Sequence, residues 1–151
     1  MKTIQIQKIT LVKEDSRIYE KQILSSEEMN YTIRNCIEQM KFELNYVEHF
    51  FLIGMNNAHK IQIFAHISTG GCTSTIVDTK VIFSHLLLSG CNCFAICHNH
   101  PSGEIKPSEA DLNLTKKIKD GASILDLRLL DHIVLSGTDK KYYSFADEVK
   151  I

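Results

Sequence analysis

The sequence predicts an α/β sandwich, in which helices cover one mixed sheet. Three observations carry that prediction. Apolar residues switch between a period of two and a period near 3.6 along the chain, in the order β, α, β, β, α, β, α, β. The segments at 47 to 55 and 60 to 67 are apolar on both faces, as strands are when helices pack on both sides of their sheet. The 151 residues, 44% hydrophobic and 23% charged, suffice for one domain with a real core. No repeat, low-complexity tract or long linker divides them, so a single domain over 1–151 is expected.

The elements follow in order. Ile4, Ile6, Ile9 and Leu11 alternate loosely and suit an edge strand or hairpin. Ser25 and Glu28 have capping-box spacing, and Met29, Ile33, Cys36, Ile37, Met40 and Leu44 then recur at helical intervals, which predicts an amphipathic helix to about residue 44. VEHFFLIGM and KIQIFAHI, joined by NNAH, read as an antiparallel hairpin. Its first strand points Val47, His49, Phe51, Ile53 and Met55 one way, and Glu48, Phe50 and Leu52 the other. After STGG and a short strand near TSTIV, Asp78 caps a helix through KVIFSHLLLS that Gly90 ends. CNCFAICH is a compact apolar strand, SEADLNLTKKIKDGASIL a helix from Ser108, and RLLDHIVLS a final strand.

Charge and cysteine content narrow the setting. A net charge of −1 gives no general reason to bind nucleic acid or anionic lipid. Lys116, Lys117 and Lys119 form a small basic group that reads as a solvated helix face. The first sixteen residues break every apolar run with polar ones, unlike a signal peptide or membrane span, so a cytoplasmic protein without a membrane partner is expected. Five cysteines, Cys36, Cys72, Cys91, Cys93 and Cys97, are an odd number without a CxxC pair, and read as small reduced core residues.

The chemistry concentrates in CHNHPSGEIKPSEADLNLT, residues 97 to 115, which holds both prolines of the chain. Proline is excluded from the interiors of helices and central strands, so Pro101 and Pro107 mark a stiff break between two elements. Residues two apart on a strand share a face, so His98 and His100 can aim at one point while Asn99 points away. Ser108 and Asp111 then fall in the first turn of the next helix. His98, His100 and Asp111, with a fourth position left for water, have the stoichiometry of a catalytic zinc site. Taken alone, a His-x-His pair is more often coincidence than a metal site, and Ser108 with Asp111 also has the spacing of a helix cap.

The pattern of His98-x-His100, seven residues, Ser108, two residues and Asp111 resembles the JAMM (JAB, MPN) metalloprotease family. HNHPSGEIKPSEADLNLTKKIK followed by LLDHIVLSG is similar to the RadC-like branch of that family, over about Val47 to Phe145. The resemblance implies a three-layer α/β/α sandwich with a mixed central sheet, related to the cytidine deaminase fold, and Zn2+ held by His98, His100 and Asp111. It also implies a glutamate on an upstream strand, a place that Glu48 fills. A carboxylate on an apolar strand face is costly to bury unless a cation or donor balances it. In this reading zinc acidifies a water, Glu48 accepts its proton as general base, and Ser108 hydrogen-bonds the developing oxyanion. The implied reaction is hydrolysis of a peptide or isopeptide bond in a peptide or protein substrate.

Longer RadC-like proteins carry an N-terminal helix-hairpin-helix region associated with DNA, and none is expected within these 151 residues; Val77-Asp78-Thr79-Lys80 stands where they tend to have His-Pro-Arg-Glu. Two alternatives stand beside the peptidase. A DNA-repair nuclease or other phosphoester hydrolase often pairs two metals, and ligands for one are present. A non-catalytic, metal-stabilised binding module should have lost at least one of the five site residues. His49, His59, His66 and His85 read as satisfied surface or core residues. Asp131 and His132, within LLDHI, are placed to hydrogen-bond a ligand from outside the metal shell. Cys97 adjoins His98 but faces away.

Overall fold

The computed structural model describes residues 22–70 and 76–151, and the first strand expected over residues 1 to 12 lies outside them. The described elements are α1 (Ser26–Gln39), β1 (His49–Met55), β2 (Ile61–Thr69), α2 (Thr79–Leu88), β3 (Cys93–His100), α3 (Glu109–Ile124), β4 (Arg128–Ser136) and β5 (Tyr142–Ser144). The strands form one sheet in the order β2-β1-β3-β4-β5. β3 and β4 are parallel and joined through α3, while the other neighbours are antiparallel. The sheet is therefore mixed, as a βαβ unit flanked by hairpin-like pairs must be.

Two apolar clusters, one on each face of the sheet, make the fold three-layered. Met29, Ile33 and Ile37 of α1 pack on Phe51, Ile53, Cys97 and Ile133. On the other face Ile82 and Leu86 of α2 and Ile118 and Ala122 of α3 pack on Phe50, Leu52, Phe94 and Ile96. The split of β1 between Phe51, Ile53 and Met55 on one side and Phe50 and Leu52 on the other is the alternation expected of that strand. All seven residues of β1 are buried.

Local chemistry sets most boundaries. Ser25 caps α1 by accepting the Glu28 amide hydrogen, and the Glu28 carboxylate accepts from Leu24 N–H at 2.9 Å. The helix stops at Gln39 rather than near 44, because Lys41 turns into the left-handed region at φ 61° and the chain doubles back to place Phe42 against His49 and His66. Asp78 caps α2, and Gly90 at φ 65° ends the turn that follows it. Residues 73–75 of the expected TSTIV strand lie outside the described part, and Ile76 and Val77 carry no strand. β5 is a three-residue addition that sequence periodicity is too short to reveal. Among the described residues no helix is long and apolar enough to cross a membrane.

Candidate metal centre

The C-terminal end of β3, the residue before β1 and the first turn of α3 meet at one corner of the sheet. Phe50 of β1 lies opposite His98 of β3, so the same antiparallel register carried two residues further sets Glu48 across from His100. Pro101 ends β3, and the chain returns through Pro107 to Ser108, the N-cap of α3. There Ser108 Oγ accepts from Asp111 N–H at 3.1 Å while Asp111 Oδ2 accepts from Ser108 N–H at 2.7 Å. This capping box fixes the rotamer that turns the Asp111 carboxylate back towards the two imidazoles. The cap and the ligand-like placement are thus one structure, not rival readings of the same spacing.

His98 Nε2 lies 3.0 Å from His100 Nε2 and 3.2 Å from Asp111 Oδ1, and His100 Nε2 lies 3.5 Å from Asp111 Oδ2. Tetrahedral zinc with bonds of about 2.0–2.1 Å holds its ligand atoms roughly 3.3 Å apart, so these spacings suit one such ion without a change of backbone. The donor set of two imidazoles and a carboxylate is also the type zinc takes, and it is the one His/Cys/Asp/Glu group of metal-holding geometry among the described residues. His100 Nδ1 donates to the Glu104 carbonyl at 2.6 Å, which leaves the Nε2 lone pair for a metal. The loop between the prolines therefore orients one of the imidazoles as well as joining the two elements.

The electrostatics agree with a site built for a cation. Burial works against charge on Asp111, yet the His100 and His98 imidazoles beside it and the Ser108 amide hold its carboxyl well below the usual range. The hydrogen bond to Asp111 raises the pKa of His100 against the opposing effect of burial, and the Glu48 charge pushes the same way. Glu48 is only 8% exposed and sits within electrostatic reach of His100. Ser108 Oγ donates its one hydrogen to Asp111 Oδ2 at 2.7 Å, so that proton is committed to a neighbouring carboxylate.

Asn99 is the residue that sequence reasoning passed over. It points away from the imidazoles, as alternation requires, but its buried carboxamide clamps the approach to β1. Nδ2 donates to the carbonyls of Leu44 at 2.7 Å and Val47 at 2.9 Å, and Oδ1 accepts from His49 N–H at 2.8 Å. The bonds to Val47 and His49 bracket Glu48, so the middle residue of His-x-His fixes the backbone that carries the glutamate. Gly137 completes the clamp: an added Cβ would collide with the Leu44 carbonyl and come within 2.8 Å of Pro101 Cα. An amide between two histidines is the only sequence signal for this role.

The other candidates separate cleanly. His132 is fully buried, and its Nε2 lies 2.8 Å from His98 Nδ1. Burial, reinforced by the nearby His98, pushes the pKa of His132 well down. Asp131 faces the opposite side and accepts from Ser144 Oγ at 2.6 Å and from Ala146 N–H at 3.0 Å, tying β4 to the chain after β5. His49 and His66 share the Thr69 hydroxyl on the α1 face, and His85 Nδ1 lies 2.8 Å from the Val81 carbonyl within its own helix. Cys97 packs in the α1-side cluster, where burial raises its thiol pKa steeply.

Comparison with known proteins gives this corner a lineage. The RadC-like JAB domain model matches residues 23–150. A UPF0758 protein of Flavobacterium johnsoniae is 46% identical over 101 residues, 67% of this chain and 43% of that protein. One from Porphyromonas gingivalis is 36% identical over 101 residues, 67% of this chain and 44% of its own length. The chain thus spans less than half the length of these relatives. With 128 consecutive residues matched, from the start of the described fold to its last turn, the chain belongs to the RadC-like JAB domain family.

Proposed function

We propose that the chain is a zinc-dependent hydrolase that cleaves an amide bond, peptide or isopeptide, in a peptide or protein substrate. The observation that carries this reading is the convergence of His98 Nε2, His100 Nε2 and Asp111 carboxylate oxygens at 3.0 to 3.5 Å. Two nitrogen ligands and one oxygen, held at a sheet corner, leave a fourth direction for water or substrate. A zinc ion bound there supplies a Lewis acid for the scissile carbonyl and lowers the pKa of water to about 7.

The chain's own groups supply the proton traffic. Glu48, nearly buried on the same sheet face as His98, takes a proton at its carboxylate and returns it to the leaving nitrogen. Its position depends on the Asn99 clamp, which holds the residues on both sides of it. Ser108 serves the oxyanion in this reading. Its hydroxyl hydrogen is held by Asp111 Oδ2, and would be free to turn to the oxyanion if that carboxylate shared its charge with a bound cation.

The test is a panel of peptide, isopeptide and DNA substrates offered to the zinc-loaded protein and to Glu48→Gln. The reading expects turnover of an amide substrate that the substitution removes. Cleavage of DNA that persists in Glu48→Gln would favour a phosphoester hydrolase instead. Zinc uptake with no turnover of any class would favour a metal-stabilised binding module.

A further inference from the structure

We infer that His132 and Thr115 are positioning residues, which hold His98 in the tautomer that presents its Nε2 lone pair to a metal. The consequence for metal binding rests on the proposed metal centre, whereas the tautomer itself follows from the hydrogen bonds and the burial of His132. Thr115 lies one helical turn after Asp111 on α3, and its hydroxyl donates to the Asp111 carbonyl at 2.6 Å. A hydroxyl has one hydrogen, so towards His132 Nδ1, also 2.6 Å away, Thr115 Oγ1 has only a lone pair to offer. His132 Nδ1 therefore carries the proton and donates it.

A neutral imidazole carries one N–H, and full burial keeps His132 neutral. His132 Nε2 is thus a bare acceptor, and His98 Nδ1 at 2.8 Å must be the donor. His98 Nε2 is then left with its lone pair at the point where the three ligand atoms meet. The opposite polarity would need the Thr115 hydrogen to leave the Asp111 carbonyl and turn to His132. That arrangement protonates His98 Nε2, which would donate to Asp111 Oδ1 and close the site to a cation. One threonine hydroxyl thus separates a metal-ready relay from a blocked one.

The rings are held for this purpose. Phe145 stacks on His132 with centroids 4.6 Å apart at 15°, and Phe50 lies parallel to His98 at 6.1 Å and 7°. Metal-bound histidines usually pass their second N–H to a carboxylate, a carbonyl or water. A buried neutral histidine in that place can accept or donate, so its direction needs the anchor that Thr115 provides.

Long-range proton–nitrogen NMR correlations on the metal-free wild-type chain near pH 8 read the tautomers directly. His98 and His132 should both show a protonated Nδ1 and a bare Nε2. Zinc affinity, measured by competition with a chromophoric chelator, should fall about 10- to 100-fold in Thr115→Val and His132→Leu. Thr115→Ser and His132→Gln, which keep the hydroxyl and an acceptor, should stay within about threefold of wild type, with circular dichroism confirming that each variant folds. A proton on His98 Nε2 in the metal-free protein, or wild-type zinc affinity in Thr115→Val, would overturn the inference. If wild type takes up no zinc while both rings still show protonated Nδ1, the metal-centre reading fails and the tautomer assignment stands.

Discussion

Two pairs of histidines lie on opposite faces of the same sheet, and their neighbours decide what each pair can do. His98 and His100 bring two Nε2 atoms to 3.0 Å, with a carboxylate oxygen 3.2 Å from one of them. His49 and His66 also approach, with ring centroids 5.4 Å apart, but both turn a nitrogen to the Thr69 hydroxyl at 3.0 Å and pack around Phe42. A hydroxyl satisfies imidazole nitrogens without adding charge, and a phenyl ring fills the space an ion would need. A carboxylate beside two ring lone pairs leaves concentrated negative potential that a cation resolves. Histidine pairs are therefore common core furniture until an acid, held by its own geometry, joins them.

The largest expected effect breaks the comparison outright. Wild-type protein should bind about one zinc per chain, the count that three converging ligands support. A double His98→Ala, His100→Ala variant should lose it by metal analysis, with its circular dichroism unchanged. The double His49→Phe, His66→Phe variant should keep its zinc. Next in size, Glu48→Gln should lower kcat on an amide substrate by about 10²- to 10⁴-fold, the usual worth of a general base, while zinc uptake is retained.

Asn99→Ala probes what connects the two pairs, because one bond of the clamp ends on His49 N–H. Removing the carboxamide leaves buried backbone groups without partners and should destabilise the fold by about 1–3 kcal/mol in denaturant titration. Activity should fall with it, since Glu48 loses the restraint on both neighbours.

The smallest effect is a slope in pH. Burial lowers the pKa of His49 and His66 from the ordinary 6.5. Below that value the unfolded chain binds protons that the folded one resists, so their contribution is present above about pH 6.5 and is lost as pH falls through it. Metal-free protein should therefore unfold at lower denaturant concentration on acidification, and His49→Phe, His66→Phe should flatten that slope. The slope will not vanish, because His132 is lowered by burial in the same direction, while His100, raised by its hydrogen bond to Asp111, opposes it.

Much of this was legible in the sequence where chemistry is local. The Asp78 and Ser108 caps, the alternation of β1 and the proline break after His100 each depend on residues a few positions apart, and each stands as expected. The family pattern placed Glu48 near the imidazoles although 50 residues separate it from His98. The end of α1 was not legible, because no glycine or proline marks it and the turn at Lys41 is drawn by Phe42 packing on a distant strand. The roles of Asn99, Thr115 and Glu104 were hidden for the same reason. Their partners are backbone groups or rings that only the assembled sheet brings near, and an asparagine facing away from a site carries no sign of what it grips.

The central claim is that His98, His100 and Asp111 share one divalent cation. A zinc-edge anomalous map from crystals of the zinc-loaded chain tests it most directly. One peak within about 2.0–2.2 Å of His98 Nε2, His100 Nε2 and an Asp111 oxygen is the expected result. No peak at this corner, or one seated between His49 and His66, would contradict it.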